Sequence, residues 1–382
     1  MSLSSTHLDL LRQEARARVE AVADLTQRIC AVPAPTGEER VRAEFVASLW
    51  RERGYAPEFD ELNNVYVRRG TRANSPLLML LAHTDTVFPA TTPINIRRDG
   101  DLLFGPSIGD NSVSVASMLT VFEVLDALGW ETAVDIVAVA NVGEEGLGNL
   151  CGARAAVQRY RSDLGAVLAI DGRLGCIVNV AVGSKRWKVT LKGPGGHSYG
   201  SFGTPSAIHG LGKIIAAISD VTVPQDPKTT FNVGIIEGGT SVNTIAAQAS
   251  AIIDMRSTDV AALDVLAEQV RAIVKRYIGA DSGLQAEIAV LGERPAGGRG
   301  EDDQLVQLAM QALRWVQVEP RLVASSTDAN IPISLNIPSV CVGITQGEKA
   351  HTTGEYISVP PIERGIAQLV RLCADACELI AR

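Results

Sequence analysis

Five stretches of this 382-residue chain carry side chains able to hold a cation or move a proton. LLMLLAHTDT contains His83 and Asp85, two residues apart and therefore on the same side of an extended segment. DIVAVANVGEEG carries the neighbours Glu144 and Glu145, AVLAIDG carries Asp171, and SVCVGIT leads into GEKAHTTGE with His351. The fifth, GPSIGDNS, contains Asp110. Singly, each has a plain reading: a polar strand end, a solvated Glu-Glu-Gly loop, a helix-capping Asp. Jointly they point to a shared site, because the chain has only five histidines and two fall in this set. Open α/β sheets bind ligands at the carboxyl ends of their strands. Two imidazoles and the four strand-end carboxylates, Asp85, Glu144, Glu145 and Asp171, would hold a charge of about −4 and repel one another unless cations are present. Imidazole and carboxylate without thiolate suit zinc, manganese or cobalt. Shared carboxylates suggest two ions, about 3.5–4 Å apart in sites of that type.

GPSIGDNS also contains G-x-S-x-G centred on Ser107, the pattern that presents a serine nucleophile in α/β-hydrolases. The apolar run before it is only Leu102, Leu103 and Phe104, and no His-Gly-Gly-Gly oxyanion loop lies upstream. A serine mechanism would also leave His83, Glu144 and Glu145 without a role. Asp110, not Ser107, is the functional residue expected in this loop.

These residues need a scaffold. The first 180 residues alternate strand and helix patterns, with PLLMLLAHTDT, TAVDIVAVANVG and GAVLAIDG as near-continuous apolar strands buried on both faces of a sheet. SVASMLTVFEVLDALG predicts a helix, with Asp110 or Asn111 placed to cap it and Gly129 to end it. The N-terminal MSLSSTHLDLLRQEARARVEAVADLTQRI predicts one charged amphipathic helix, with His7 solvated. After Gly183 the order becomes β-α-β-β-α-β, a ferredoxin-like unit. From about Arg294 the pattern returns to helix, strand and helix. The expectation is an α/β catalytic domain with a mixed sheet, formed by residues 1–182 and 294–382 and interrupted by an inserted domain at 183–293.

Composition narrows the function classes. Apolar residues make up 46% and charged residues 20%, with a net charge of −8 and no blocks of Lys or Arg. Nucleic acid and anionic membrane are therefore not expected as partners. No apolar run is long enough to span a bilayer, and the N-terminus has no signal-like core. The six cysteines form no C-x-x-C pair, and Cys373 and Cys377 read as core packing on a terminal helix. A reduced cytoplasm is the expected location.

In order along nearly the whole chain, HTDT, GDN, GEEGLG, AIDG, GPGGHS, GTSVNT, DMRS and SSTDANIP…GEKAHT resemble the dizinc exopeptidases and amidohydrolases. That family includes peptidase T, carnosinase, acetylornithine deacetylase and succinyl-diaminopimelate desuccinylase, and the SSTDAN loop is most similar to the peptidase T-like branch. The resemblance implies two divalent ions, with zinc the default and manganese or cobalt open. His83, Asp110 and Asp171 would hold one ion; Asp110, Glu145 and His351 would hold the other, with Asp110 bridging. Asp85 would orient His83 from behind, and Glu144 would be the general base activating a metal-bridging water. The inserted domain is implied to mediate a homodimer. His197 would stabilise the oxyanion, often across that dimer, and Asn243 and Arg256 would hold substrate carboxylate or backbone. The plainer readings are a turn residue for His197 and a strand-end salt bridge for Arg256. His209 reads as structural.

The implied activity is hydrolysis of a peptide or amide bond in a small substrate. Asp171, where deacetylase-like members tend to carry Glu, leans toward a di- or tripeptidase acting at a free amine. An N-acyl- or N-carbamoyl-amino-acid amidohydrolase is the alternative, and a catalytically silent metal-binding homologue a remote one. Relatives often have Asp-x-Lys-Gly-Gly or Asp-Asp-Lys at the bridging aspartate, followed by an unusual cis peptide. This chain has Asp110-Asn111-Ser112-Val113 there.

Overall fold

The computed structural model describes residues 5–72, 75–278 and 282–382. Packing divides the chain into two compact units, Met1–Ala181 with Gly298–Arg382, and Val182–Gly297. Unit 1 begins with helices α1 (Ser5–Ala17), α2 (Val19–Cys30) and α3 (Arg40–Glu52). Strands β1 (Glu58–Phe59), β2 (Val65–Arg69), β3 (Leu77–His83), β4 (Arg97–Asp99) and β5 (Leu102–Phe104) follow. An irregular turn at Ile108–Ser112 enters α4 (Val113–Ala127), then come β6 (Asp135–Asn141), α5 (Cys151–Arg159), β7 (Leu164–Ile170) and β8 (Cys176–Ala181).

Unit 2 holds β9 (Gly183–Lys192), β10 (Gly196–His197), α6 (Ala207–Ser219), β11 (Thr229–Gly238), β12 (Thr244–Ile245), β13 (Gln248–Ser257), α7 (Val260–Tyr277) and β14 (Gln285–Arg294). After β15 (Gly297–Gly298), unit 1 resumes with α8 (Gln304–Trp315), β16 (Arg321–Ser325), α9 (Asn330–Ser334) and β17 (Ser339–Val342). It closes with β18 (Gly347–Glu348), β19 (Tyr356–Ser358) and α10 (Ile362–Ile380).

The main sheet of unit 1 runs β1-β2-β6-β3-β7-β17-β8, with β16 joined to β8. It is mixed: β3 is parallel to β6 and β7, and β17 to β7, while β2 and β8 pair antiparallel to their neighbours β6 and β17. Side chains of β3 alternate between two cores. Leu78, Leu80 and Ala82 join the cluster built with α1, α2, α3, α4, α8 and α10. Leu77, Met79 and Leu81 join the cluster on the opposite face with α5 and α9. Burial on both faces is why the strand is an unbroken apolar run rather than an alternating one. The chain therefore has the mixed-sheet α/β fold that its alternating pattern predicts.

Unit 2 is a four-stranded antiparallel sheet in the order β11-β13-β9-β14. Helices α6 and α7 cover one face, packing Leu211, Ile214, Leu266 and Val270 against Trp187, Val189, Ile253 and Met255. A separate ribbon pairs β10 with β12.

Three sequence expectations need correction. The N-terminal stretch is two helices, one ending at Ala17 and the next starting at Val19, with Arg18 between them at φ −101° and ψ −2°; its residues 1–4 lie outside the described residues. His7 is half-buried, with its ring edge-on to Trp130 at 5.8 Å. Neither Asp110 nor Asn111 caps α4, because Ser112 holds the cap position without a side-chain bond and Asn111 Nδ2 donates to the Ile170 carbonyl at 2.9 Å. Gly129, at φ +61°, does end that helix. Cys373 and Cys377 are buried free thiols in the core. Among the described residues no helix is long and apolar enough to cross a membrane.

Candidate metal centre

The parallel strands deliver their ends to one edge of the sheet. His83 closes β3 opposite Asn141, the last residue of β6. Asp171 follows β7, and its N–H donates to the carbonyl of Val342 at the end of β17. Glu144 and Glu145 follow β6, and His351 lies in the loop between β18 and β19.

The side chains meet around Asp110. Its Oδ1 lies 3.1 Å from His83 Nε2, and its Oδ2 lies 3.0 Å from His351 Nε2. His351 Nε2 also approaches Glu145 Oε1 at 2.9 Å. Ligand atoms of His83, Asp110 and Asp171 lie within 4.8 Å of one another, and so do those of Asp110, Glu145 and His351. One carboxylate thus belongs to two clusters. The Asp110–Asn111 peptide is cis, and His351 has a left-handed φ of +65°.

Asp85 organises both sides of this arrangement. His83 Nδ1 lies 3.2 Å from the Asp85 carbonyl oxygen and 3.4 Å from its Oδ1. The carbonyl contact has hydrogen-bond geometry, and either acceptor keeps the proton on Nδ1. The Asp85 carboxylate also accepts the N–H groups of Glu144 (3.0 Å) and Glu145 (2.8 Å) and the Thr36 hydroxyl (2.9 Å). Arg42, fully buried, donates to the carbonyls of Val32 at 2.7 Å and of Thr84 at 2.9 Å, holding the residue between His83 and Asp85.

His83 Nε2 tests whether cations fit. It is buried and lacks a hydrogen-bond partner. With the proton on Nδ1 it is an acceptor aimed at another acceptor, Asp110 Oδ1, an arrangement that a cation between them relieves. The donor set fits the implied ions. Without an ion, protons take its place. Burial opposes the Asp110 charge, yet the His351 hydrogen bond and the adjacent His83 imidazole hold its carboxyl below the usual range. Burial and then the Asp110 charge push Glu145 up, and push Asp171 up to about 7. His351 rises to about 9 through its hydrogen bond to Asp110, against burial and with help from Glu145. Burial alone would lower His83, but Asp110 and Asp85 outweigh it and raise it well above the ordinary range.

Ser107 takes no part in a triad. Its hydroxyl is buried, and among the described residues no hydrogen bond joins it to a histidine. Its N–H instead donates to Glu355 Oε2 at 2.8 Å. Glu355 is the site residue that sequence reasoning missed. Its Oε1 accepts the N–H groups of Gly109 and Asp110, each at 2.7 Å, so a single buried carboxylate clamps the loop that presents Asp110. A Cβ on Gly109 would lie 2.9 Å from that oxygen, which explains glycine there. The only signal was an acid four residues after His351, and nothing in its spacing reveals a contact 245 residues away.

The remaining candidates lie in unit 2. His197 Nδ1 accepts the N–H groups of Tyr199 and Gly200, both at 3.3 Å, which leaves Nε2 as an exposed donor. Asn243 is beside it: its carbonyl accepts the Ser198 N–H at 2.9 Å, and His197 pairs with Thr244 in the β10–β12 ribbon. Arg256 is apart from both. It pairs with Asp254 at 2.6 Å and sits opposite Ser184, whereas the far end of β13, Gln248, pairs with Lys192 just before the ribbon.

Comparison with known proteins adds to this geometry. The model of peptidase family M20/M25/M40 matches residues 79–375. A succinyl-diaminopimelate desuccinylase of Delftia acidovorans is 24% identical over 89% of this chain and 94% of its own. An acetylornithine deacetylase of Myxococcus xanthus is 24% identical over 83% of this chain and 85% of its own. Among solved structures, a tripeptidase from Staphylococcus aureus has the same fold, with a TM-score of 0.80 and 21% identity over 94% of this chain and 99% of that one.

Proposed function

The chain belongs to peptidase family M20/M25/M40, and on that premise we propose that it hydrolyses unblocked di- or tripeptides at their amino end. The observation that carries this reading is the Asp110 carboxylate, shared between a His83–Asp171 cluster and a Glu145–His351 cluster. These five residues would hold two ions, which would supply Lewis-acid polarisation of the scissile carbonyl and acidify water at neutral pH. Zinc is the default for imidazole–carboxylate ligands, with manganese and cobalt open.

The chain's own groups do the rest. Glu144, with its N–H fixed by Asp85, accepts the proton of the attacking water on its carboxylate and returns it to the leaving nitrogen. His197, donating from Nε2, stabilises the oxyanion, and Asn243 and Arg256 hold substrate. Arg256 lies eight residues along β13 from Gln248, at the other end from the His197 ribbon; that is about 27 Å at 3.4 Å per residue. No small substrate spans that length, which supports one end serving the site of a second subunit. The strand order of unit 2 and its two helices support a ferredoxin-like domain, and its edge strand β11 exposes the neighbours Ile235 and Ile236 on opposite faces. Both features support a homodimer through this unit.

Asp171 in place of Glu supports the peptidase. The deacetylase and desuccinylase relatives support a second reading, hydrolysis of N-acyl amino acids. A panel of free-amine peptides and N-acetyl, N-succinyl and N-carbamoyl amino acids, each with and without chelator, separates the two. Chelator-sensitive cleavage of peptides is expected; cleavage of acylated substrates alone would overturn it. Glu144→Gln should retain its metal and lose about 10²–10⁴-fold in kcat, and full activity would remove Glu144 from the role of base.

A further inference from the structure

Beside the metal cluster, a cavity of about 150 Å³ is lined by Asp110, Asp171, Arg173, Glu348, Glu355 and Tyr356, among others, and Arg173 is its only basic side chain. We propose that Arg173 selects substrates carrying a second carboxylate, either the acidic side chain of a peptide or the free end of a dicarboxylic acyl group. The inference rests on the hydrolase reading above and names the substrate class of that site.

The backbone of Arg173 is fixed. It bridges Thr345 in parallel, and the next residue, Leu174, donates its N–H to the Thr345 carbonyl at 2.9 Å. A Cβ on Gly343 would fall 2.3 Å from the Arg173 carbonyl carbon, so only glycine lets the two segments approach this closely. From this anchored backbone a long, exposed side chain extends, and among the described residues its guanidinium makes no ion pair or hydrogen bond. A planar five-donor cation is suited to a bidentate carboxylate contact.

The acids on the same wall do not supply its partner. Asp110 and Asp171 face the metal clusters. Glu355 is occupied by three backbone N–H groups. Glu348 lies across the β18–β19 pair from Tyr356 and, among the described residues, makes no ion pair with Arg173. Asp110, Asp171 and Glu355 therefore have their own counterparts, and the guanidinium beside them has none. A neutral substrate leaves it solvated and idle; an anionic one completes it at the site where the amide bond is placed.

Matched pairs test this. Metal-loaded protein is assayed on Glu-Leu against Gln-Leu and on N-succinyl-leucine against N-butanoyl-leucine, which separates the side-chain source from the acyl source. The unmodified protein should prefer the charged member of at least one pair by about 10-fold or more in kcat/KM. Arg173→Met should bring that ratio near one, Arg173→Lys should retain part of it, and Glu348→Gln should preserve it. Calorimetric titration with succinate against its monoamide reads the same discrimination without turnover, and Arg173→Met should erase it. Charge-blind kinetics and binding in the unmodified protein overturn the inference. So does a preference that survives Arg173→Met, or one that Glu348→Gln removes equally, which would make the arginine a loop-ordering partner of Glu348. If nothing in the panel is cleaved, the hydrolase reading fails, and the calorimetry still decides the role of Arg173.

Discussion

Asp110 owes its position to a carboxylate far along the chain. Glu355 accepts three N–H groups from the Ser107–Asp110 loop, and removing that charge frees buried donors next to the carboxylate that both clusters share. Partners that orient ligands typically contribute about 10–100-fold to metal affinity. Glu355→Gln is therefore expected to weaken metal binding by that order in a chelator competition, with folding retained; unchanged affinity would make the clamp dispensable. The protein's own charges also set a pH dependence. Asp171 and Glu355 are raised to about 7 and His351 to about 9, so between about pH 4 and 9 the folded chain binds more protons than the unfolded one. Metal-stripped protein should thus lose thermal stability as pH rises from 6 to 9, and saturating metal should flatten that slope. A metal-stripped Tm that rises over this range would contradict the charge assignment.

At the scale of elements, the strands were legible because burial on both faces writes a continuous apolar run, as β3 shows with Leu78 facing one core and Leu77 the other. Polar residues that stop such runs, His83 and Asp171 among them, then mark the binding edge. What was not legible depends on contacts between distant segments. Asp110 and Asn111 resemble caps from local sequence, but their side chains are drawn to His83, His351 and the Ile170 carbonyl instead. Strand β16 and the small pair β18–β19 are too short and too polar to register as a pattern. Arg42 looks like a solvated charge on an amphipathic helix and is in fact a buried tie between α3 and the strand-end loop. Arg42→Met would leave buried carbonyls unsatisfied, and a loss of about 3 kcal/mol in denaturant unfolding is expected. A change within about 0.5 kcal/mol would show that the tie is not needed.

For the whole molecule, unit 1 gathers the two ligand clusters, while unit 2 carries His197 and Asn243 at its two-stranded ribbon and Arg256 at the far end of β13. If the homodimer forms through β11, Ile236→Lys should shift sedimentation toward monomer and lower turnover in parallel, since a charge at that edge opposes strand pairing. Monomers with full activity would show that no residue of unit 2 acts across the dimer. The central claim is dinuclear metal-dependent amide hydrolysis, and the direct measurement is turnover of a cleaved substrate as divalent ion is returned to metal-stripped protein. Activity should be absent at the start and saturate near two equivalents per chain. Full activity in chelator, abolished by a serine-directed reagent, would contradict the claim and return Ser107 to the centre of the mechanism.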